Sequence, residues 1–144
     1  MVGLDIGEKR IGVAVSDSLG LFAHPREAIF GDKKVAFKKL IELFNAESPE
    51  EVVIGYPLEL SGERGERAVW AEKFKDQLRG HISAHSNLRA MKLTLWDERL
   101  SSVQAERALA TAGHFGKKRK AMTDSLAAAI ILESYLKARE VKTS

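Results

Sequence analysis

Three short apolar runs, separated by glycine and polar residues, open the chain. They cover residues 2–7, 11–16 and 21–29, and the third contains Pro25. Runs of this length that are joined by short turns are typical of antiparallel strands, and proline restricts a strand to an edge or an irregular position. The pattern therefore predicts a three-stranded meander whose third strand is irregular or lies at an edge of the sheet.

The apolar spacing then alternates between that of helices and that of strands. Over residues 34–46 apolar side chains recur at helical spacing and Pro49 follows, which predicts a helix. Residues 52–55 form a short apolar run of the kind found in buried parallel strands. A second helix is predicted over residues 66–79, and the polar residues 80–89 are expected to form a surface connection.

The last third of the chain repeats the alternation of strand and helix. Residues 93–96 predict a fifth strand, and Ser101 or Ser102 is placed to cap a helix after it. A basic loop is expected at residues 113–120, followed by a final helix over residues 121–139. The whole order predicts an α/β fold with a mixed five-stranded sheet, an antiparallel three-stranded meander and helices on both faces.

Length and composition set further limits. The 144 residues fit one domain, taken as residues 1–144, and contain no cysteine, which excludes disulfides and thiolate metal sites. No signal peptide or apolar stretch long enough to span a bilayer is evident, so we expect a soluble cytoplasmic protein with no membrane partner. The net charge of +3 favours a polyanionic partner only weakly.

Carboxylates stand where predicted strands and helices meet. Asp5 lies inside the first apolar run, Asp97 and Glu98 follow the fifth strand, and Asp124 begins the last helix. A charged side chain in a strand needs a cation, hydrogen-bond donors or a catalytic task, because an unpaired buried charge is costly. If the first and fifth strands are neighbours, these carboxylates can converge, and their oxygens are ligands that Mg²⁺ and Mn²⁺ accept. The arrangement suggests a divalent-metal nuclease.

Each of these acids also has a structural explanation. Asp5 could cap the following turn or pair with its basic residues, and the helix dipole would favour Asp124 in any fold. Asp97 and Glu98 are adjacent, so on a strand their side chains point to opposite faces and one of them alone can be a metal ligand. The residues leave that choice open. The other acid is expected to pair with Arg99 or to orient a ligand.

Basic residues near these acids are candidates for contacts with nucleic acid. Clustered lysine and arginine bind the phosphate backbone by releasing counterions, although a solvated surface is the simpler explanation for each of them. The loop at residues 58–65 lacks the ending of a P-loop, so binding of nucleoside triphosphates is not supported. Trp70 and Trp96 lie in apolar stripes and are expected in the core. The predicted nucleic-acid contacts are Lys9, Arg10, Arg64, Lys117, Lys118, Arg119 and Lys120.

Four motifs stand in order along the chain, at residues 5–17, 55–58, 97–102 and 124–128. In this order and spacing they resemble the YqgF/RuvX family over nearly the whole chain. The resemblance implies a ribonuclease H-like fold similar to that of the RuvC resolvases. Members of the family are described as Holliday junction resolvases and as nucleases that mature the 5′ end of 16S ribosomal RNA. One departure is Glu8, where many relatives have threonine.

The resemblance also implies an active site. The catalytic carboxylates of the family fall on Asp5, Glu98 and Asp124, which would hold Mg²⁺ or Mn²⁺, as two ions with Asp5 as their shared ligand. We therefore expect metal-dependent hydrolysis of phosphodiester bonds in branched DNA or in precursor ribosomal RNA. Symmetric cutting of a DNA junction would require a homodimer, whereas processing of RNA would not.

Two other functions, from different classes of protein, are alternatives to a metal-dependent nuclease. A non-catalytic module that binds nucleic acid or the ribosome could keep the same fold without turnover. Half of a phosphotransferase would also begin with an Asp-x-Gly hairpin, but 144 residues cannot supply the second lobe that closes over ATP.

Overall fold

The computed structural model describes the backbone of residues 1–100 and 117–143 and the side chains of residues 1–100 and 125–140. One mixed sheet forms its centre, with the strands β1 (Val2–Ile6), β2 (Arg10–Ser16), β3 (Ala23–Phe30), β4 (Glu51–Tyr56) and β5 (Lys92–Asp97). Their order in the sheet is β3-β2-β1-β4-β5. The first three strands are antiparallel, and β1, β4 and β5 run parallel. The predicted mixed sheet is confirmed, and Pro25 lies in the edge strand β3.

Helices cover both faces of this sheet, as predicted. Within the described residues they are α1 (Lys33–Glu47), α2 (Glu66–Ser83) and α3 (Lys117–Thr143), and a 3₁₀ turn at Glu98–Leu100 follows β5. Helices α1 and α2 pack on one face and α3 packs on the other. None of the helices in the described part of the chain is long and apolar enough to cross a bilayer.

Helix α2 is longer than the sequence pattern predicts. Residues 80–83 continue the helix, so the predicted surface connection at residues 80–89 is wrong in its first part. The physical reason is Ile82, which is fully buried and lies four positions after Leu78 on the same side of the helix. One apolar side chain among polar neighbours extends the helix because packing contributes more to helix stability than propensity does.

Helix α3 begins four residues earlier than predicted. The predicted basic loop is wrong for residues 117–120, which form the first turn of the helix. Lysine and arginine are good helix formers, and neither glycine nor proline follows Gly116 within the helix. Asp124 consequently lies inside α3 and not at its start. The helix predicted after the fifth strand falls in residues 101–116, outside the described residues.

The two faces of the sheet pack different kinds of side chain. Under α1 and α2 the core contains large side chains such as Leu4 and Phe44, both fully buried. Under α3 it contains many small ones, of which Ala128 is fully buried. Trp70 packs against the first cluster and Trp96 against the second, and each is only partly buried. The expected core positions of the tryptophans are therefore confirmed in part.

Candidate active site

Asp5 lies near the carboxyl end of β1, the central strand of the sheet. Side chains of a strand alternate between its two faces, and the neighbours Leu4 and Ile6 are buried under α1 and α2. Asp5 therefore projects from the face that α3 covers, where it is partly exposed. Its partner across the antiparallel pair is Gly12, which leaves room beside the carboxylate.

Glu98 follows β5 directly and begins the 3₁₀ turn. Its side chain is buried, with an exposed fraction of 4%. It lies against Gly55 of β4, because a Cβ atom built on Gly55 would be 2.6 Å from Oε1 of Glu98 and 2.7 Å from Cδ1 of Ile131 in α3. The carboxylate thus occupies the space, on the α3 face, that a side chain at position 55 would take.

The strand before Glu98 is not adjacent to the strand of Asp5. Strand β4 lies between β1 and β5, so the condition that the first and fifth strands be neighbours is wrong. The parallel register pairs Leu4 with Ile54, and the next residues along the two strands are Asp5 and Gly55. Adjacent strands are ~4.8 Å apart. Because Glu98 reaches over a residue that has no side chain, its carboxylate comes to lie beside the position of Asp5.

Gly55 is therefore a site residue that the sequence analysis does not identify. Its signal was present, since a glycine inside an apolar strand pattern often marks a close approach of another group. The pattern cannot say which group approaches, because the approaching residue, Glu98, is distant in sequence and arrives through the pairing of β4 with β5.

Asp97, the other acid of the adjacent pair, is held by Arg99. The guanidinium Nη2 donates to Oδ2 of Asp97 at 2.7 Å, and the Arg99 backbone N–H donates to Oδ1 at 2.9 Å. The side-chain hydrogen bond of Arg99 holds the pKa of the Asp97 carboxyl below its ordinary value. Nη1 of Arg99 also donates to the carbonyl of Leu60 at 3.4 Å and ties the turn to the loop after β4. One acid of the pair does bond to Arg99, as predicted, and it is Asp97.

Position 124 lies on the sheet face that carries Asp5. The described side chains resume one residue later with Ser125, which is fully buried and whose hydroxyl accepts a hydrogen bond from the Val13 N–H at 3.4 Å. Val13 is adjacent to Gly12, the sheet partner of Asp5. The backbone of α3 thus brings residue 124 to the β1–β2 side of this face. The role of its carboxylate stays a prediction.

The donor chemistry of the two described acids fits a hard divalent cation. Asp5 and Glu98 place carboxylate oxygens on one face of the sheet, and such oxygens are the ligands that Mg²⁺ and Mn²⁺ accept. Among the side chains that the structure describes, no three His, Asp or Glu residues lie close enough together to form a complete ligand set. The predicted third ligand, Asp124, is outside those side chains.

A second buried carboxylate lies at the opposite end of the sheet and has a structural role. Glu51 begins β4 and is 6% exposed. It accepts hydrogen bonds from the hydroxyls of Thr94 and Tyr135. Burial and the bond to Glu51 raise the pKa of Tyr135 to about 12. Burial of a glutamate alone is therefore not a sign of chemistry in this fold, and the position of Glu98 beside Asp5 is what distinguishes it.

Of the predicted nucleic-acid contacts, Lys9 lies in the turn that follows β1, and Arg10 begins β2. The Gly7 N–H donates to the Arg10 carbonyl at 2.8 Å and closes this turn. Both side chains are exposed at the end of the sheet that carries Asp5. The side chains of residues 117–120 lie outside the described set, although their backbone forms the start of α3.

Arg64 is bound to a protein partner. Its Nε donates to Oε2 of Glu72 at 2.7 Å and its Nη2 to Oε1 at 2.5 Å, and the Tyr56 hydroxyl donates to the same carboxylate. The hydrogen bonds from Arg64 and Tyr56 lower the pKa of Glu72 to about 2. Nucleic acid would have to compete with Glu72 for this guanidinium, and the predicted contact of Arg64 stays a prediction.

Comparison with known proteins gives matches along nearly the whole chain. A family model described as "RuvX: Holliday junction resolvase" matches residues 1–138. A protein of Geobacillus kaustophilus (strain HTA426) is 41% identical over 138 residues, which are 94% of this chain and 95% of that protein. One of Sulfurihydrogenibium sp. (strain YO3AOP1) is 43% identical over 136 residues, which are 94% and 88% of the two chains. Both are named "Putative pre-16S rRNA nuclease".

A solved structure has the same fold. Thermus thermophilus RuvC in complex with a Holliday junction substrate matches with a TM-score of 0.51 and 18% sequence identity, over 98% of this chain and 96% of that chain. At this identity the likeness supports the fold alone, and it confirms the ribonuclease H-like architecture that the motifs imply. The family match and the identities near 40% establish membership of the family as well as the fold. The chain belongs to the RuvX family of nucleases, which are hydrolases that act on phosphodiester bonds.

Proposed function

We propose that this chain is a metal-dependent endonuclease that cuts structured nucleic acid, with Asp5, Glu98 and Asp124 as its catalytic residues and metal ligands. The observation that carries the proposal is the buried carboxylate of Glu98, which lies over Gly55 beside the position of Asp5. Two carboxylates on one sheet face, under the helix that contains Asp124, are a suitable donor set for Mg²⁺ or Mn²⁺.

The three acids would divide the binding of two cations. Asp5, on the central strand, would be the ligand that both ions share, and Glu98 and Asp124 would each complete the shell of one ion. When bound, such ions polarise the phosphate and make water a stronger nucleophile. Glu98 is buried, and its Oε1 shares with Cδ1 of Ile131 the space over Gly55 that a side chain there would take, so β4 and α3 bound the carboxylate.

The residues around the acids support this arrangement. The bond between Asp97 and Arg99 fixes the turn that Glu98 begins, and the bond from Arg99 to the Leu60 carbonyl anchors that turn to the next loop. Lys9 and Arg10 would attract the phosphate backbone to the end of the sheet where Asp5 lies. The basic first turn of α3, residues 117–120, would do the same on the α3 side.

Two substrates are supported by different observations. The relatives that are about 40% identical carry the name of a pre-16S rRNA nuclease, which supports a precursor of 16S ribosomal RNA. The description of the family model supports a four-way DNA junction. Phosphate contacts and metal catalysis serve both substrates equally, so direct comparison of cleavage must decide between them.

The test is cleavage of a labelled four-way DNA junction and of a labelled 16S rRNA precursor end, in parallel, with Mg²⁺, with Mn²⁺ and with chelator. Wild type should cut at least one substrate only when metal is present, and Asp5→Asn should not cut it. Binding of both substrates without cleavage would overturn the proposal in favour of a non-catalytic binding module. Metal-dependent cleavage that persists in Asp5→Asn would overturn the assignment of Asp5.

The oligomeric state is a further proposal that depends on the substrate. If the junction is the substrate, two active sites must face one junction, and we propose a homodimer in that case. Sedimentation velocity with and without junction DNA measures this directly. A monomer that nevertheless cuts both strands of a junction symmetrically would contradict it.

A further inference from the structure

A cleft of about 120 Å³ opens at the end of the sheet, where the turn after β1 meets the first turn of α1 and the second and third turns of α2. Its walls include Trp70 and Phe74 of α2 and Ala36 of α1, and its exposed rim carries Arg10 and Lys33. We call it the Trp70 cleft. It lies on the face of the sheet that α1 and α2 cover, and the proposed catalytic acids lie on the other face at the same end.

The lining combines a fixed aromatic surface with positive charge. Trp70 is half-buried, and Phe74 beside it is held by stacking on Phe37, with ring centroids 5.4 Å apart. Arg10 and Lys33 are exposed at the opening. Aromatic side chains on which bases stack, together with cations that meet the phosphates, are the usual means of binding single-stranded nucleic acid.

The size of the cleft suits a single unpaired base and not a base pair within a duplex. A cavity of about 150 Å³ encloses a benzene ring. The cleft of about 120 Å³ is smaller and open, so it can receive one ring whose outer part stays in solvent. A base pair within a duplex cannot enter it, because its ring faces are covered by neighbouring pairs. The charge of the rim also favours a polyanion, since Lys9 and Lys34 flank Arg10 and Lys33 in sequence. An apolar protein segment offers no charge complementary to this basic rim.

We propose that the Trp70 cleft binds an unpaired nucleotide of the nucleic-acid substrate, with the base against Trp70 and its phosphate between Arg10 and Lys33. This inference rests on the proposed function, since it concerns the substrate of the Asp5 site. Gly7 lines the cleft and stands two residues after Asp5, a distance of ~7 Å along an extended chain. A strand that enters the cleft can therefore pass around the end of the sheet to the acids, and the enzyme selects substrates that have an unpaired nucleotide near the scissile bond.

A substitution at Glu8 should raise the affinity for single-stranded nucleic acid, whereas the other substitutions should lower it. Its exposed carboxylate lines the same cleft and opposes the approach of a phosphate. Glu8→Gln should therefore bind unpaired nucleic acid more tightly than wild type does. A gain of affinity is informative because a damaged fold cannot produce it.

The first experiment uses fluorescence, since Trp70 is one of two tryptophans in the chain. Trp96→Phe leaves Trp70 as the reporter, and Trp70→Phe leaves Trp96. A short oligodeoxythymidylate is titrated into each variant in the presence of chelator, so that no cleavage occurs, and a blunt duplex of matched length serves as the control. The emission of Trp70 should be quenched by the single strand and not by the duplex, and the emission of Trp96 should change less.

The second experiment measures affinity for the same single strand by anisotropy. Trp70→Leu should weaken binding roughly 5- to 150-fold, the range that corresponds to the loss of one stacked base. Lys33→Gln should lower the slope of log affinity against log salt by about 0.7, as expected for one lost phosphate contact on a single strand. The matched control is Lys39→Gln, an exposed α1 lysine that does not line the cleft, which should leave single-strand affinity as in wild type.

The proposal is overturned if the Trp70 emission does not respond to the single strand, or if Glu8→Gln and Lys33→Gln bind as wild type does. It is also overturned if Trp70→Leu changes the sedimentation coefficient while single-strand affinity is unchanged, because the cleft is then a protein contact. These readouts need no turnover. Wild-type cleavage without a Trp70 response removes this proposal alone, and a Trp70 response together with active Asp5→Asn removes the assignment of the acids alone.

Discussion

The two faces of the sheet differ in the size of the side chains that they pack. Under α1 and α2, Leu4 and Phe44 are large and fully buried. Under α3, Gly3 takes the place of a side chain: a Cβ atom there would be 2.8 Å from Cβ of Leu132 and 3.0 Å from the Ala128 carbonyl oxygen. The first face contributes most of the apolar burial. The second face is thin enough for α3 to lie close to the strands and to leave room for carboxylates.

This difference implies that stability and chemistry can be changed separately. Substitutions under α1 and α2 should alter the free energy of unfolding and spare the activity of the folded protein. Under α3 the outcome should depend on what the substituted residue contacts, and a substitution at Gly55, beside the Glu98 carboxylate, should alter the site more than the fold. Substitutions at Phe44, Gly55 and Gly3 test that separation.

Phe44→Ala should be the most destabilising of these changes. The side chain is fully buried in the cluster under α1 and α2, and removing it leaves a cavity. We expect a loss of about 3–5 kcal/mol in the free energy of unfolding. Urea unfolding measures the loss, and cleavage per folded molecule should stay at the wild-type level. A fall in cleavage by the folded fraction would contradict the separation of the two faces.

Gly55→Ala should damage activity more than stability. The added methyl group would meet the ends of two flexible side chains, Glu98 and Ile131, and both can move aside at modest cost. A displaced Glu98 carboxylate would no longer lie beside Asp5, and a misplacement of about 1 Å can cost about 10²-fold in rate. Cleavage rates and urea unfolding of the same preparation check this. Unchanged cleavage would show that Glu98 does not act where it lies.

Gly3→Ala should damage stability more than activity. Its methyl group would meet a backbone atom, the Ala128 carbonyl oxygen, which cannot rotate away, so α3 must shift. We expect a loss of about 1–3 kcal/mol in the free energy of unfolding. The control is Gly80→Ala in α2, where nothing lies within 4 Å of the new methyl group. Because alanine is the better helix former, the control should gain about 0.5–1 kcal/mol.

The ion pair of Arg64 and Glu72 should give the smallest effect, and one that depends on pH. Its hydrogen bonds lower the pKa of Glu72 from 4.5 to about 2 in the folded state. The stabilisation is therefore complete above pH 4.5 and is lost as the pH falls toward 2. Glu72→Gln should melt below wild type at neutral pH, and the difference should shrink through this window. A difference in melting temperature that is constant down to pH 2 would contradict the assignment.

Much of the fold could be predicted because apolar spacing reports local structure. The five strands and the helices α1 and α2 follow from it, and Pro25 marks the edge strand. The order of the strands could not be predicted, since the position of β4 between β1 and β5 depends on pairings between distant residues. The ends of helices also escaped prediction where one buried residue, Ile82, or one basic turn, residues 117–120, extends them.

The site could be predicted less fully than the fold. Asp5 and the adjacent pair Asp97 and Glu98 are visible in the sequence as acids next to apolar runs. Their different surroundings are not visible, because the bond of Asp97 to Arg99 and the burial of Glu98 arise from the 3₁₀ turn after β5. The role of Gly55 could not be predicted for the same reason. Its missing side chain matters only because the Glu98 carboxylate takes that space, and the sequence does not show which group does so.

Calorimetric titration of Mn²⁺ into wild type, Glu98→Gln and Asp97→Asn tests directly whether Glu98 is a metal ligand and Asp97 is not. These two neutral, isosteric changes at adjacent positions differ only in which carboxylate they remove. We predict that Glu98→Gln weakens Mn²⁺ binding by more than about 100-fold and that Asp97→Asn weakens it by less than about tenfold, the scale of an outer-shell residue. Equal affinity in wild type and Glu98→Gln, or a larger loss in Asp97→Asn, would contradict the account.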